Sequence, residues 1–444
     1  MKTVKFYTIG CKVNQYETQA IREQFSRAGF KELENAHPAD IYIINTCTVT
    51  HKADRDSRYF IGLAYRQNPR AKIVVTGCYT ELDNEEVSKI PGVTHIIKNQ
   101  DKTRIVHLFN EITTAGSPER SRGTSQRDND RRESRAQSRD ESTNIGISSF
   151  KGHTRAFLKI QDGCDNFCSY CIVPQVRGSS RSRDLSQIIQ EAKALVKNCF
   201  KEIVLTGVCL GVYGKDFRPQ ISLVDVIREL EKIDGLLRIR LSSIEAGDLT
   251  DKLINKISRS KKLCRHLHIP IQSGDDGILK KMNRRYTRAG YLNLIKKIKT
   301  KIPLIAITTD VIVGFPGETE KNFLNTVKLI KKILPLKVHI FPYSARKGTA
   351  AAGLKQEIGE RVIKQRLEYL KKVSEDCAFE YKKQFLGKKR EVLIEERVKK
   401  DNTFWVGYTD NYLKVAVRTN IDLKNQLITL KLHKIDKYCI TAEL

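Results

Sequence analysis

The sequence predicts an α/β chain in three parts: an N-terminal doubly wound parallel-sheet domain, a central partial (βα)6 barrel, and a small C-terminal antiparallel β-barrel of OB-like size. Three observations carry this. Short β-branched runs alternate with amphipathic stretches from Val4 to Thr76 and again from Arg155 to Phe341. Between the two series, Ser117 to Asn144 is Arg, Ser, Asp and Glu with almost nothing apolar. After about Gln384 the pattern changes to short alternating runs punctuated by turn signals.

In the first series, strands are expected at Val4–Ile9, Ile41–Asn45 and Lys72–Thr76, and helices at Gln15–Ala28 and Ala53–Gln67. This is the βαβ grammar of a parallel sheet and defines a domain over 1–113. A charged linker follows at 114–150; its charges nearly cancel, so it is not read as an RNA-binding arm. The second series, 151–383, offers strands at Arg155–Gln161, Glu202–Thr206, Leu237–Leu241, His266–Ile271, Ile307–Val313 and Val338–Phe341. Helical stretches such as Ser186–Lys197, Leu223–Ile233, Tyr291–Thr300 and Glu320–Ile333 fill the gaps, which suggests an open or partial barrel. Over 384–444 the runs Glu391–Glu395, Phe404–Tyr408, Leu413–Val417, Leu427–Leu432 and Tyr438–Glu443 suggest a nucleic-acid-binding β-barrel.

The chain has 444 residues, too many for one ordinary domain, and its 40 % hydrophobic content suffices for packed cores. The formal net charge of +29 admits two readings, a lysine-rich solvated surface or a polyanionic partner. A membrane is not expected as a partner, because no stretch resembles a spanning helix and no basic run borders a long apolar face. There are eleven cysteines. Met1–Gly10 lacks the apolar core of a signal peptide, so the expected home is the reducing cytoplasm. There the cysteines serve as ligands or core residues rather than disulfides.

The strongest motif is Cys164-x3-Cys168-x2-Cys171, directly after the first barrel strand. Three thiolates on one loop can hold three irons of a [4Fe-4S] cluster and leave the fourth open to a ligand. The competing reading is a zinc loop; zinc wants a fourth ligand, and the nearby His153 has the wrong spacing. Other barrel-strand ends carry Thr206-Gly207, Ser242-Ser243, Gln272-Ser273-Gly274, Gly314-Phe315-Pro316-Gly317-Glu318 and Tyr343-Ser344. Gly207, Ser243, Gln272, Gly314 and Tyr343 are therefore candidates for a cofactor pocket at the carboxyl end of the barrel, with ordinary loop punctuation as the alternative.

Cys11, Cys47 and Cys78 each lie one or two residues past a strand of the N-terminal sheet. In a parallel sheet those ends share one edge, so the three thiols should converge as a second three-cysteine site. The alternative is three buried structural cysteines.

The Cys164–Cys168–Cys171 loop opening a βα barrel resembles the radical S-adenosylmethionine (SAM) superfamily. With the second triad, nearly the whole chain resembles the radical SAM methylthiotransferase family: an N-terminal methylthiotransferase domain, a radical SAM domain and a C-terminal RNA-binding TRAM domain. The stretch from Thr8 through Cys11 to Thr18, and Gln272-Ser273-Gly274 running to Met282-Asn283-Arg284-Arg285-Tyr286-Thr287, resemble the branch acting on N6-threonylcarbamoyladenosine. The resemblance implies two [4Fe-4S] clusters, at Cys164/Cys168/Cys171 and at Cys11/Cys47/Cys78. It implies SAM as methyl donor and as source of a 5′-deoxyadenosyl radical. It also implies tRNA as substrate, a low-potential electron donor and a sulfur source. The sister branches act on isopentenyladenosine in tRNA or on a ribosomal-protein aspartate; a non-catalytic iron–sulfur RNA-binding protein is the reading from another class.

The sequence departs from the family pattern at Cys209, where Asn is more usual, at Asp275, where a smaller residue is expected, and in its long linker. Cys199, Cys264, Cys377 and Cys439 have no partners by spacing and are read as structural. Phe404, Trp405, Tyr408 and Tyr412 stand among Lys and Arg, either to stack on bases or to fill the C-terminal barrel.

Overall fold

The computed structural model describes residues 1–34, 37–114, 146–398, 401–436 and 439–444. Most of the expected linker, 115–145, lies outside the described residues. The chain forms two compact units, Met1–Ser149 with Gln175–Gly178, and Phe150–Pro174 with Ser179–Leu444. Among the described residues, no helix is long and apolar enough to cross a membrane.

The first unit is built on five parallel strands, β1 (Thr3–Thr8), β2 (Lys31–Glu32), β3 (Ile41–Thr46), β4 (Lys72–Gly77) and β5 (Val93–Ile97), in the order β2-β1-β3-β4-β5. The central strand β3 is buried along its whole length, as a parallel strand covered on both faces should be. Its side chains alternate. Tyr42 and Ile44 pack with Ile61 and Ala64 of helix His51–Gln67 on one face. On the other face, Ile41 and Ile43 pack with Ile21 and Phe25 of helix Lys12–Arg27 and with Phe109 of helix Ile105–Thr114. Thr50 caps the helix that follows it, its hydroxyl accepting from the Ala53 N–H.

The second unit opens with β6 (Arg155–Lys159) and the two-residue antiparallel pair β7 (Gln161–Asp162) and β8 (Arg181–Ser182). Then come β9 (Glu202–Thr206), β10 (Arg238–Leu241), β11 (His266–His268), β12 (Ala306–Val313) and β13 (Lys337–Pro342). β6, β9 and β10 form one parallel sheet and β11, β12 and β13 another. Parallel bridges Ile239↔Leu263 and Ser243↔His268 join the two, so six strands follow one another in chain order as a partial barrel. β11 stops at His268, short of the expected Ile271, because Pro270 has no N–H to donate and Gln272 sits at φ +66. A 24-residue helix, Glu360–Lys383, adds to the expected elements. Its buried Arg366, Leu370, Val373, Cys377 and Tyr381 make a single stripe on an otherwise charged surface.

The last five strands, β14 (Lys389–Val398), β15 (Asp401–Thr409), β16 (Lys414–Arg418), β17 (Leu427–Ile435) and β18 (Ile440–Glu443), close as the ring β14-β15-β16-β18-β17. The expected ring is there, but β16 pairs with β18 in parallel. A closed ring with an odd number of strands cannot alternate direction throughout, so at least one parallel pair is unavoidable. Trp405, Leu413, Val415, Leu430 and Leu432 fill it.

The ring packs on the amino-terminal ends of the barrel strands through charge. Glu202, fully buried, accepts from Arg240 at 2.6 Å. Arg240 also donates to the carbonyls of Asp410 and Thr409, and Arg238 to those of Tyr408 and Glu391. The rings of Tyr408 and Tyr412 stack on each other and lie under the Arg155 guanidinium. Tyr408, Tyr412 and the buried Trp405 are thus committed to packing rather than to bases; Phe404 remains partly exposed.

Candidate metal centres and cofactor pocket

In the first unit, β1, β3 and β4 are neighbours, so their carboxyl ends lie side by side. Cys11 is the N-cap of helix Lys12–Arg27, Cys47 follows β3 directly, and Cys78 opens helix Cys78–Leu82 at the end of β4. Two glycines permit the convergence. A Cβ on Gly10 (φ +101) would stand 2.7 Å from the Cys47 sulfur. One on Gly77 (φ +110) would stand 2.2 Å from the Thr46 carbonyl oxygen. The three thiols sense one another: the Cys47 thiol is pushed up to about 12, first by burial and then by Cys78, with Cys11 contributing. Burial raises Cys78 as well, opposed by Arg177 and Lys102.

Behind the triad lies a buried polar network. Glu17 accepts from Lys102 Nζ at 2.6 Å and from Arg177 at 2.9 and 3.2 Å. Arg177 also donates to Asn14 Oδ1, and the Asn14 amide donates to the carbonyls of Ile9 and Thr46, which flank Cys11 and Cys47. Two cations against one carboxylate leave a net positive charge beside the thiols. This network is not legible in the sequence. Its one local signal is Asn14 and Glu17 on the face of the first helix that also carries Val13, Ile21 and Phe25. Lys102 and Arg177 come from distant segments.

In the second unit, the Cys164–Cys171 loop is pinned by the segment after helix Asp276–Lys281. Asn283 Nδ2 donates to the Phe167 carbonyl at 2.9 Å, Ser169 Oγ to the Lys281 carbonyl at 2.7 Å, and the Ser169 N–H to Met282. Arg284 Nη1 lies 3.2 Å from Cys168 Sγ; the same guanidinium pairs with Glu245 and with Tyr286 Oη. Burial pushes the Cys168 thiol up, against Arg284, and pushes Cys171 up to about 12. Cys164 is drawn down to about 7, chiefly by a hydrogen bond with Cys209. Cys209, the departure from pattern, therefore sits against a cluster cysteine. Its N–H donates to Gln161 Oε1, and Asn166 Nδ2 lies 3.4 Å from its sulfur. A cleft of about 230 Å³ opens beside Cys168, Glu245, Arg284 and Tyr286, and one of about 340 Å³ beside Cys209, Asp165 and Asp248. His153 packs against Phe150 and Phe157.

The candidate pocket residues fall into two groups. Gly207 and Gly314 are packed: an added Cβ would stand 2.9 Å from Gln161 Oε1 and 2.8 Å from the Ile363 side chain, respectively. Gly314 is further anchored at its N–H by Glu318 and at its carbonyl by Gln356. Ser243 and Gln272 are half-buried at strand ends, bridged to His268 and Val311. Tyr343 packs with Ile312, Phe315 and Tyr170, and its buried hydroxyl has no hydrogen-bond partner among the described residues.

Both triads suit an iron–sulfur group. All six thiols are free, and each set offers three sulfurs, with Cys209 hydrogen-bonded to Cys164 beside the second set. Neutral when buried alone, such thiols ionise on a metal. Lys102 and Arg177 in one unit and Arg284 in the other supply positive charge beside the thiolates.

Residues 158–330 match the Radical SAM superfamily, and residues 3–98 match the uncharacterized protein family UPF0004. The threonylcarbamoyladenosine tRNA methylthiotransferase MtaB of Bacillus subtilis (strain 168) is 41 % identical, covering 98 % of this chain and 94 % of that protein. The tRNA-2-methylthio-N(6)-dimethylallyladenosine synthase of Fusobacterium nucleatum is 36 % identical, covering 100 % of both chains. Among solved structures, the radical SAM methyltransferase TsrM of Kitasatospora setae shares the fold at a TM-score of 0.56 and 13 % identity, over 79 % of this chain and 77 % of that one. With relatives of this identity aligned along nearly the whole chain, the protein belongs to the radical SAM methylthiotransferase family.

Proposed function

We propose that the protein inserts a methylthio group at C2 of N6-threonylcarbamoyladenosine, nucleotide 37 of tRNA, beside the anticodon. The observation that carries the reading is the pair of three-thiol sites, one on each unit, in a chain 41 % identical to a threonylcarbamoyladenosine tRNA methylthiotransferase. The C2–H bond is unactivated, so no acid or base of the chain suffices to replace it. When bound, a [4Fe-4S] cluster at Cys164, Cys168 and Cys171 with SAM supplies a hydrogen-abstracting radical, and a second at Cys11, Cys47 and Cys78 carries the sulfur.

The chain's own residues prepare the sites. Arg284 places its positive charge beside Cys168, where it would favour the thiolate on a bound cluster, and is itself oriented by Glu245 and Tyr286. Lys102 and Arg177 offset the negative charge of the other triad. Gly207, Ser243, Gln272, Gly314 and Tyr343 line or shape the SAM pocket, where the buried Tyr343 hydroxyl has no hydrogen-bond partner among the described residues. The C-terminal ring, with the basic surface, grips tRNA phosphates. A low-potential electron donor and a sulfur source complete the cycle.

The likeness to dimethylallyladenosine synthases favours a second reading, the same chemistry on isopentenyladenosine. Mass spectrometry of tRNA nucleosides from a strain lacking the gene, with and without complementation, separates the two. Loss and recovery of the 2-methylthio-threonylcarbamoyl nucleoside is expected. A change confined to the isopentenyl derivative moves the protein to the sister activity, and no change in either removes both.

A further inference from the structure

Three polar side chains in the barrel lumen belong to neither thiol site. His268 on β11, Asp310 on β12 and His339 on β13 bring one nitrogen or oxygen each within 4.8 Å of one another. The register explains why. His268 pairs with Thr308 and Asp310 pairs with His339, and residues paired across parallel strands face the same side, as do residues two apart. The opposite face of β12 is turned to the helices, where Thr309 meets Tyr291. His268, Asp310 and His339 are therefore lumenal, and all three are half-buried rather than sealed.

The trio is held. Thr308 Oγ1 lies 2.9 Å from His268 Nδ1 and fixes that ring, while His268 Nε2 lies 3.1 Å from Asp310 Oδ2. The His339 ring stands edge-on to His268 at 5.5 Å. It is also close to the reactive end. Burial raises the Glu245 carboxyl and Asp310 is near enough to add to that rise, and Glu245 pairs with the Arg284 that contacts Cys168. Two residues beyond His339 on the same face, Phe341 is 42 % exposed at the end of β13, an aromatic surface on which a base can stack.

We propose that His268, Asp310 and His339 form the subsite for a polar, carboxylate-bearing arm on N6 of the substrate adenine, with His339 setting the preference for that arm over an apolar one. The proposal rests on the tRNA methylthiotransferase reading. A threonylcarbamoyl arm carries urea N–H groups, a hydroxyl and a carboxylate. Asp310 accepts from the N–H and O–H donors, and the imidazole of His339 donates to the carboxylate. An isopentenyl arm offers no polar atom, so it would desolvate the trio with nothing in return; such a loss is what makes polar pockets discriminate.

The test uses reconstituted full-length protein and anticodon stem-loops carrying threonylcarbamoyl, isopentenyl or unmodified adenosine at position 37. Binding and the kcat and KM of thiolation are measured for wild type, His339→Leu, His339→Gln and Asp310→Asn. Circular dichroism and iron content establish that each variant is folded and loaded. Wild type should bind the threonylcarbamoyl stem-loop at least tenfold more tightly than the isopentenyl one. His339→Leu should shrink that ratio by about ten- to a hundredfold, mainly through KM, as expected for one lost charge-assisted hydrogen bond. His339→Gln, which keeps a donor, should recover part of it. Variants that are folded and keep the wild-type ratio overturn the subsite while leaving the proposed function standing. A wild type that prefers the isopentenyl arm overturns both. About one equivalent of a divalent metal other than iron, present in wild type and lost in His339→Leu, also overturns the proposal and makes the trio a metal site.

Discussion

Glu17→Gln tests whether the network behind the N-terminal triad is an electrostatic support for it. One carboxylate serves two cations, and all three side chains are nearly sealed, at 8 %, 6 % and 3 % exposure for Glu17, Lys102 and Arg177. Removing one partner of a buried ion pair costs about 3–5 kcal/mol, because the remaining charge stays desolvated. Here two remain. Glutamine keeps one acceptor oxygen, which returns about 1 kcal/mol. The net cost to the first unit is then roughly 3 kcal/mol, about a hundredfold in its local opening equilibrium. A single unfolding free energy is poorly defined for a chain of two units, so hydrogen exchange across helix Lys12–Arg27 is the suitable assay, with iron per chain measured alongside. Faster exchange there and loss of iron are expected. Adding Lys102→Met, which removes one of the stranded cations, should restore part of the protection. Unchanged protection in Glu17→Gln, or a double variant no better than the single one, refutes the account.

Cys168→Ala should abolish reductive SAM cleavage, whereas Cys47→Ala should spare that cleavage and block thiolation; product from Cys47→Ala would remove the N-terminal triad from the chemistry. Gly77→Ala places a Cβ 2.2 Å from the Thr46 oxygen at φ +110, so a cost of about 2–3 kcal/mol and loss of iron from the N-terminal site are expected, read by iron analysis and thermal melting. At Glu202, burial favours the neutral acid, but Arg240, Arg155 and Arg238 outweigh it and hold the carboxyl below its usual value. A depressed folded pKa means that the stabilisation is present above the unfolded carboxylate pKa and fades as pH falls through the folded one. The emission of Trp405, the single tryptophan, should therefore report acid loosening of the ring, and Glu202→Gln should flatten that acid limb and destabilise the ring at neutral pH.

Much of the architecture was legible locally. The β3, β9 and β12 runs are nearly continuous β-branched segments, and helix Glu320–Ile333 was placed to the residue, because hydrophobic period and end-capping are properties of neighbouring residues. The Cys164–Cys168–Cys171 loop was legible for the same reason. Cys11, Cys47 and Cys78 could be assembled despite their separation because a parallel sheet aligns its strand ends, a rule that needs only the strand order. The helix Glu360–Lys383 was missed because its stripe is thin and includes Arg366 and Ser374 among the buried positions.

The sequence by itself thus determined most of the strands and helices that carry the sites, and it marked six cysteines as two sets of three. Tertiary structure alone decided their surroundings. Arg177 reaches Glu17 across 160 positions, Arg284 reaches Cys168 across 116, and Tyr412, open in the sequence to stacking on bases or to packing, lies under Arg155. It also decided that His268, Asp310 and His339, one on each of three strands, meet inside the barrel. Local pattern reports only which face a side chain takes. Which distant charge shares that face depends on strand register and on the energetic demand that every buried ion find a partner.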